Sequence, residues 1–209
     1  MPKKIPNFDK NVFINCPFDR EYLPLLKPLL FAVIDCDLEP RLASERSDSG
    51  EERIKKIKEM IRESRYSIHD LSRMEPIKTG ELPRFNMPFE LGLDFGGRYF
   101  GPKALARKRC LILEKERYRF QKVLSDISGS DILAHNSDPE KLVQNVRNWI
   151  FDNVRKNIRS ATKIWQRYNK FLSSFESSAR DEGFTQKDID MMPVAEFIYF
   201  IKSWIEGNH

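Results

Sequence analysis

Two carboxylates and a hydroxyl lie at the predicted ends of elements in the middle of the chain. Asp70 and Ser72 close an apolar strand predicted over 66–71, and Glu90 falls in the first turn of a helix predicted to begin near Asn86. Because open parallel sheets bind ligands at the carboxyl ends of their strands, we expect both carboxylates in one cleft. A partly desolvated carboxylate there can stabilise an oxocarbenium-like sugar centre or attack it, while Asp70 and Ser72 hold sugar hydroxyls. Cleavage of an N-glycosidic bond needs little more.

Several of these residues have simpler alternatives. Glu90 is equally explained as an exposed acid that stabilises the start of its helix through the helix dipole. Cys16 is either a low-pKa thiolate or, on the simpler interpretation, a small buried residue. Arg84 and Phe85 can bind a phosphate and stack on a base, but an exposed loop arginine is commonly only solvated.

Short apolar strands alternate with helices along most of the chain. The strands are predicted over 12–14, 38–43, 66–71, 109–113 and 132–134. This alternation predicts an α/β fold, with a parallel sheet of about five strands covered by helices on both faces. In the first helix, Pro28 predicts a kink or a division, because proline cannot donate the helical hydrogen bond.

The α/β domain is predicted to span 1–155 and to be followed by a helical C-terminal extension over 156–209. The last helix carries more apolar side chains than one face can hold, among them Phe197, Phe200 and Trp204. We expect this surface to pack against the main domain, a second copy in a homo-oligomer, or a partner protein.

The composition is that of a soluble globular protein, and the sequence contains no motif for a resident cofactor. Hydrophobic residues make up 40% and charged residues 32%, and no apolar run is long enough to span a bilayer, so we expect no membrane partner. The 3 cysteines lack paired spacing and no secretory signal is seen, which favours a reduced, cytoplasmic location. There is no dinucleotide fingerprint, no Walker-type loop and no metal-ligand spacing, so we expect no cofactor and no metal.

Basic residues concentrate between Arg98 and Lys122, and the formal net charge is +5. Such a stretch permits contact with a polyanion, although a solvated rim explains it more simply. Nucleic acid is therefore a possible partner that the sequence does not favour.

Two segments resemble nucleoside 2-deoxyribosyltransferase-like proteins. Arg65–Ser72 is similar to the strand "Ala-Asp-x-x-Ile-x-Asp-Leu" of that family, and Asn86–Gly92 to its element "Asn-x-x-x-Glu-Leu-Gly", with a further strand at Cys110. The layout also resembles Toll/interleukin-1 receptor (TIR) domains, through the strand Val12–Asn15 and the helix pattern Gly50–Arg65. Both families have a flavodoxin-like sheet, and the resemblance covers most of the predicted α/β domain.

The resemblance implies that Glu90 is catalytic, as the nucleophile of the transferases or the essential acid of NAD-cleaving TIR domains. It also implies that Asp70 and Asn86 orient the sugar. Glu90 and Asp70 are thus the candidate catalytic residues. The candidate binding residues are Asn15, Cys16, Pro17, Phe18, Asp19, Ser44, Ser72, Arg84, Phe85 and Asn86.

Two functions remain open on this evidence. The first is a nucleotide- or nucleoside-binding domain that cleaves an N-glycosidic bond, with NAD as the leading substrate rather than a cofactor. For this function the resemblance suggests a role as an effector of bacterial antiphage defence. The second is a non-catalytic module of the same fold that senses a nucleotide or serves assembly.

Overall fold

The computed structural model describes residues 5–45, 48–74, 80, 82 and 84–208. Five parallel strands form its sheet: β1 (Asn11–Asn15), β2 (Glu39–Arg41), β3 (Tyr66–Asp70), β4 (Arg109–Glu114) and β5 (Leu133–Ala134). Their order across the sheet is β2-β1-β3-β4-β5, and every neighbouring pair is parallel. This is the strand order of flavodoxin-like folds. The predicted α/β class and five-strand parallel sheet are confirmed.

Helices cover both faces of the sheet. Those of the described residues are α1 (Leu23–Asp35), α2 (Arg53–Glu63), α3 (Asn86–Phe100), α4 (Pro139–Asn153), α5 (Ala161–Asp181), α6 (Gln186–Asp190) and α7 (Val194–Gly207). On one face α1 packs against α4, and α5 and α7 lie on α1, whereas α2 and α3 cover the other face. None of these helices is both long enough and apolar enough to cross a membrane.

The alternation of side chains along each strand divides the central strands between the two faces. Val12 and Ile14 join the core beneath α1 and α4, whereas Phe13 packs against α2. Along β3, Ile68 belongs to the α1 side, and its neighbour His69 points to the α3 side, where it contacts that helix. The same alternation decides which polar groups face which side at the carboxyl ends of the strands.

The helix α1 continues through Pro28 instead of dividing there, so the expected division is wrong. The hydrogen bond that Pro28 cannot donate would end at Pro24, in the first turn of the helix. A helix loses little when the missing bond lies at its end. From Leu25 onward α1 is almost entirely buried, and this packing stabilises the continuous helix.

The C-terminal helices bury most of their aromatic side chains against α1. The ring of Phe31 lies 5.6 Å from that of Phe171 and 5.8 Å from that of Trp204. A buried ion pair accompanies them, in which Arg167 Nε lies 2.9 Å from Asp35 Oδ1. The apolar surface that needed a partner therefore packs mainly against the chain's own α/β domain. Association through these helices and the predicted boundary at residue 155 stay predictions.

Replacement of Phe171 by alanine tests whether the C-terminal helices and the sheet unfold as one unit. Phe171 is 1% exposed, and removing a buried phenylalanine ring costs about 3–5 kcal/mol of unfolding free energy. We expect one urea transition, monitored by circular dichroism, at a lower midpoint. Phe100→Ala is the control, because Phe100 is 91% exposed and should change little. Two separate transitions would show that the C-terminal helices fold independently.

Candidate functional site

The site lies where the chain leaves the two central strands in opposite directions. From β1 the chain passes outward to β2, and from β3 it passes to β4 on the other side. Such a reversal opens a crevice at the carboxyl ends of parallel strands. Asn15 ends β1 and Asp70 ends β3, and Glu90, the fifth residue of α3, begins the second turn of that helix.

Glu90 is a buried carboxylate with one ion-pair partner among the described residues. Its side chain is 6% exposed, and Arg53 Nη2, from the start of α2, lies 3.4 Å from its Oε1. Burial raises the pKa of Glu90, and the positive charge of Arg53 offsets this only in part. The alternative of an exposed acid is therefore wrong. Phe85 and Phe89, which both precede Glu90 in the sequence, are exposed.

Asp70 is fully buried, and both of its oxygens accept hydrogen bonds. Tyr22 donates its hydroxyl to Oδ2 at 2.5 Å, and His135 Nε2 lies 3.1 Å from the same atom. The backbone N–H of Ser72 donates to Oδ1 at 2.8 Å, and the Ser72 hydroxyl donates to Oδ1 as well. Burial acts to raise the pKa of Asp70, but these donors outweigh it and lower the pKa. In this arrangement Asp70 positions three segments and has little capacity left for sugar hydroxyls.

The hydrogen bonds of His135 determine which ring nitrogen carries the proton. The backbone N–H of Ser137 donates to Nδ1 at 3.0 Å, so Nδ1 is an acceptor. The proton of the neutral ring is then on Nε2, which faces Asp70 and lies 2.9 Å from Ser72 Oγ. His135 therefore donates toward this pair and cannot act as a base for Ser72.

The two candidate catalytic carboxylates lie on opposite sides of the sheet edge. Asp70 faces the α1 side with Tyr22, whereas Glu90 belongs to α3 and meets Arg53 of α2. The alternation along β3 places Asp70 on that side, and the expectation that both carboxylates line one cleft stays a prediction. Burial raises the pKa of the Cys16 thiol, and the negative charges of Asp70 and Glu90 raise it further. The thiol is protonated, which excludes the low-pKa thiolate.

Asn15 ties the start of α3 to the central strands. Its Nδ2 donates to the backbone carbonyl of Met87 at 2.9 Å and to His69 Nδ1 at 2.9 Å. Because Met87 lies in the first turn of α3, this hydrogen bond holds the start of the helix, and with it Glu90, against the sheet. Asn15 is buried, and its role is to position the helix.

Beneath α3, His69 joins a buried ion pair. Its Nε2 lies 3.2 Å from Asp94 Oδ2, and Lys108 Nζ lies 3.0 Å from Asp94 Oδ1. Burial acts to raise the pKa of Asp94, but the bond from His69 and the charge of Lys108 lower it to about 2. Ligand atoms of His69, Asp94 and Cys110 lie within 4.8 Å of one another. Lys108 already supplies the positive charge that a metal would bring, so we assign the cluster a structural role.

The remaining predicted binding residues divide between the surface and the interior. Asp19 accepts from Arg84 Nη1 at 2.9 Å and pairs with Arg73 Nη2 at 2.9 Å. Ser44 is exposed in a short 3₁₀ turn after β2, which α7 contacts. Phe18, Phe85 and Asn86 are exposed, and Pro17 is buried.

A separate cavity of about 580 Å³ opens beside β5, between the loop after β4 and the start of α4. None of the predicted site residues is among the described residues that line it. Its lining includes Arg117, Tyr118, Asp131, Lys141 and Asn145. The candidate site at Glu90 is thus defined by its side chains and not by this cavity.

Three residues of the site escaped sequence reasoning, namely Tyr22, Arg53 and His135. Tyr22 falls among the apolar residues at the start of α1, and nothing in the sequence indicates that its hydroxyl has a buried partner. His135 stands 65 residues from Asp70, and no local spacing joins them. Arg53 lies on the polar face of its helix, where charged residues are ordinary.

Comparison with models of protein families, with curated proteins and with solved structures finds no match to this chain. The resemblance to deoxyribosyltransferase-like and TIR proteins therefore depends on the motifs quoted above. Any function for this chain has to be argued from its own site.

A double-mutant cycle tests the buried bond between Tyr22 and Asp70. Asp70→Asn should lower the unfolding free energy by about 3 kcal/mol, because it leaves buried donors facing an amide. Tyr22→Phe should cost about 1–3 kcal/mol, and the double variant should cost less than the sum. Tyr66→Phe, on the same strand as Asp70, is the control for loss of a tyrosine hydroxyl. Additive costs in urea unfolding would mean that the pair is not coupled.

Glu90→Gln should make the protein more stable at pH 7. The folded-state pKa of Glu90 is raised above the ordinary value of 4.5, so the unfolded chain loses this proton first as pH rises. Ionised Glu90 therefore destabilises the fold at neutral pH, and the gain from glutamine should shrink below pH 4.5. Urea unfolding at pH 4 and pH 7 measures this. Glu140→Gln, on the exposed start of α4, controls for the loss of one charge, and a less stable Glu90→Gln protein at pH 7 would contradict the expectation.

Proposed function

We propose that this chain binds a nucleoside or nucleotide at the carboxyl ends of β1 and β3 and cleaves its N-glycosidic bond. The observation that carries the proposal is the buried carboxyl of Glu90, with a raised pKa and one partly solvated arginine beside it. Asp70, Asp94 and Asn15 are engaged in holding segments together. Glu90 has fewer partners, and carboxyls of this kind are enriched at catalytic sites.

The proposed chemistry uses charge and position. As the bond between the sugar and the base breaks, positive charge develops at the anomeric carbon, and the Glu90 carboxylate stabilises it or attacks that carbon. The departing base takes the electron pair of the broken bond, and water then completes hydrolysis at the anomeric carbon. The exposed rings of Phe85 and Phe89 offer surfaces on which a base can stack. NAD is the first substrate to test, and a defence role would follow if the chain depletes it.

The second candidate is a module that binds a nucleotide without cleaving it. The engagement of both Asp70 oxygens favours this candidate, because Asp70 then has little capacity left to take part in cleavage. A sensor of this kind raises the melting temperature with its ligand and releases no base. Assembly or capture of a partner would then be the readout of binding.

Base release by the purified protein separates the two candidates. NAD and the common nucleosides and nucleotides are incubated with the protein, and free base is quantified by chromatography. We expect release by the unaltered chain and a loss of about 100-fold or more in Glu90→Gln, because removal of a catalytic carboxylate costs this much. Glu140→Gln removes an exposed acid from the first turn of α4 and should keep full activity.

Absence of release from every compound by the unaltered chain would reject the glycosidase proposal. Ligand-induced stabilisation without release would then support the binding module. Equal activity of Glu90→Gln and the unaltered protein would reject the role of Glu90, whatever the substrate.

A further inference from the structure

We propose that Arg53 recognises a phosphate of the substrate, so that the chain acts on nucleotides in preference to unphosphorylated nucleosides. This inference rests on the proposed function, since it concerns the ligand of the site at Glu90. It assigns the substrate class by the charge that the ligand carries.

The geometry leaves most of the Arg53 guanidinium available. Its side chain is 59% exposed, whereas the Glu90 side chain that it approaches is 6% exposed. The contact of 3.4 Å is longer than the roughly 2.8 Å of a strong charge-assisted hydrogen bond. A guanidinium has a fork of N–H donors, and within the described residues Glu90 is the only acceptor seen to engage it. Most of the Arg53 side chain is therefore in contact with solvent.

Two other arginines near this edge are already paired with acids. Arg84 donates to Asp19 at 2.9 Å, and Arg73 pairs with both Asp19 and Glu21 at 2.9 Å. Each of these guanidiniums has its charge matched by a nearby carboxylate. The carboxylate that Arg53 contacts is Glu90, and burial raises the pKa of that group. Arg53 therefore has N–H donors left for a further anion.

A phosphate and a buried carboxylate repel each other unless a cation stands between them. Arg53 is the first residue of α2, and its guanidinium contacts Glu90. A phosphate bound to the exposed part of this guanidinium would therefore have a positive charge between it and the carboxylate. Arginine also matches phosphate oxygens with two parallel N–H bonds. A neutral nucleoside gains nothing from this contact, so the contact discriminates between the two classes of ligand.

Binding measurements on matched pairs of ligands test the inference. Dissociation constants are measured by calorimetry for NAD, the nucleoside 5′-monophosphates and the parent nucleosides. The proteins are the unaltered chain, Arg53→Gln, Arg53→Lys and Arg62→Gln, the last an exposed arginine of the final turn of α2. We expect Arg53→Gln to weaken nucleotide binding by about 10- to 100-fold and nucleoside binding by less than about 3-fold. Arg53→Lys should recover part of the loss, and Arg62→Gln should bind as the unaltered chain does.

Three results of the binding measurements would overturn the inference. One is equal binding of nucleosides and their phosphates by the unaltered chain, and another is binding of neither class. The third is an equal loss for both classes in Arg53→Gln, which would mean that Arg53 only orients Glu90. Phosphate-selective binding that depends on Arg53, without base release, would reject the glycosidase proposal and uphold this inference. Base release from nucleosides and nucleotides alike, unchanged in Arg53→Gln, would support the glycosidase proposal and reject the role of Arg53 in phosphate recognition.

Discussion

A single buried amide connects the first turn of α3 to the two central strands. Asn15 donates to the carbonyl of Met87 and to the ring of His69, so one side chain joins β1, β3 and α3. Glu90 follows Met87 by one turn and is carried below the surface by this connection. The buried side chains of Met87 and Leu91 add apolar packing to this connection.

The polar groups of this edge form two networks on opposite sides of the sheet. On the α1 side Tyr22 and His135 satisfy Asp70, and on the α3 side His69 and Lys108 satisfy Asp94. Buried charges are tolerated when they are paired and hydrogen-bonded, and both networks meet that condition. Among the residues that the structure describes, Glu90 lies outside both networks, and its one ion-pair partner is a partly solvated arginine at 3.4 Å. A carboxylate kept in this state is costly to the fold, and such costs are typical of functional sites.

The C-terminal helices contribute to the same structure from a distance. They cover α1 with aromatic rings, and α1 in turn covers the face of the sheet that Asp70 approaches. The apolar surface that seemed to call for a partner is largely internal to the chain. The rings of Phe85 and Phe89, at the start of α3, stay exposed.

The periodicity of the sequence was sufficient for the fold. The strands β1 and β4 have a clear local signature, a short apolar run, and alternation of strands with helices leaves a parallel sheet as the natural arrangement. Glu90 and Asp70 were found in the same way, because acids next to strand ends and helix starts are visible in local spacing. The division predicted at Pro28 was wrong, since a local rule does not include the packing that surrounds α1.

Only the tertiary structure decided what these acids face. The partners of Asp70 come from residues 22 and 135, and the partner of Glu90 comes from a different helix, so no spacing in the chain records them. The side of the sheet to which Asp70 points follows from the register of β3, and a shift of one residue would turn Asp70 to the other side. Residue types and spacing thus identify the groups, while burial and long-range contacts determine their protonation and their freedom to act.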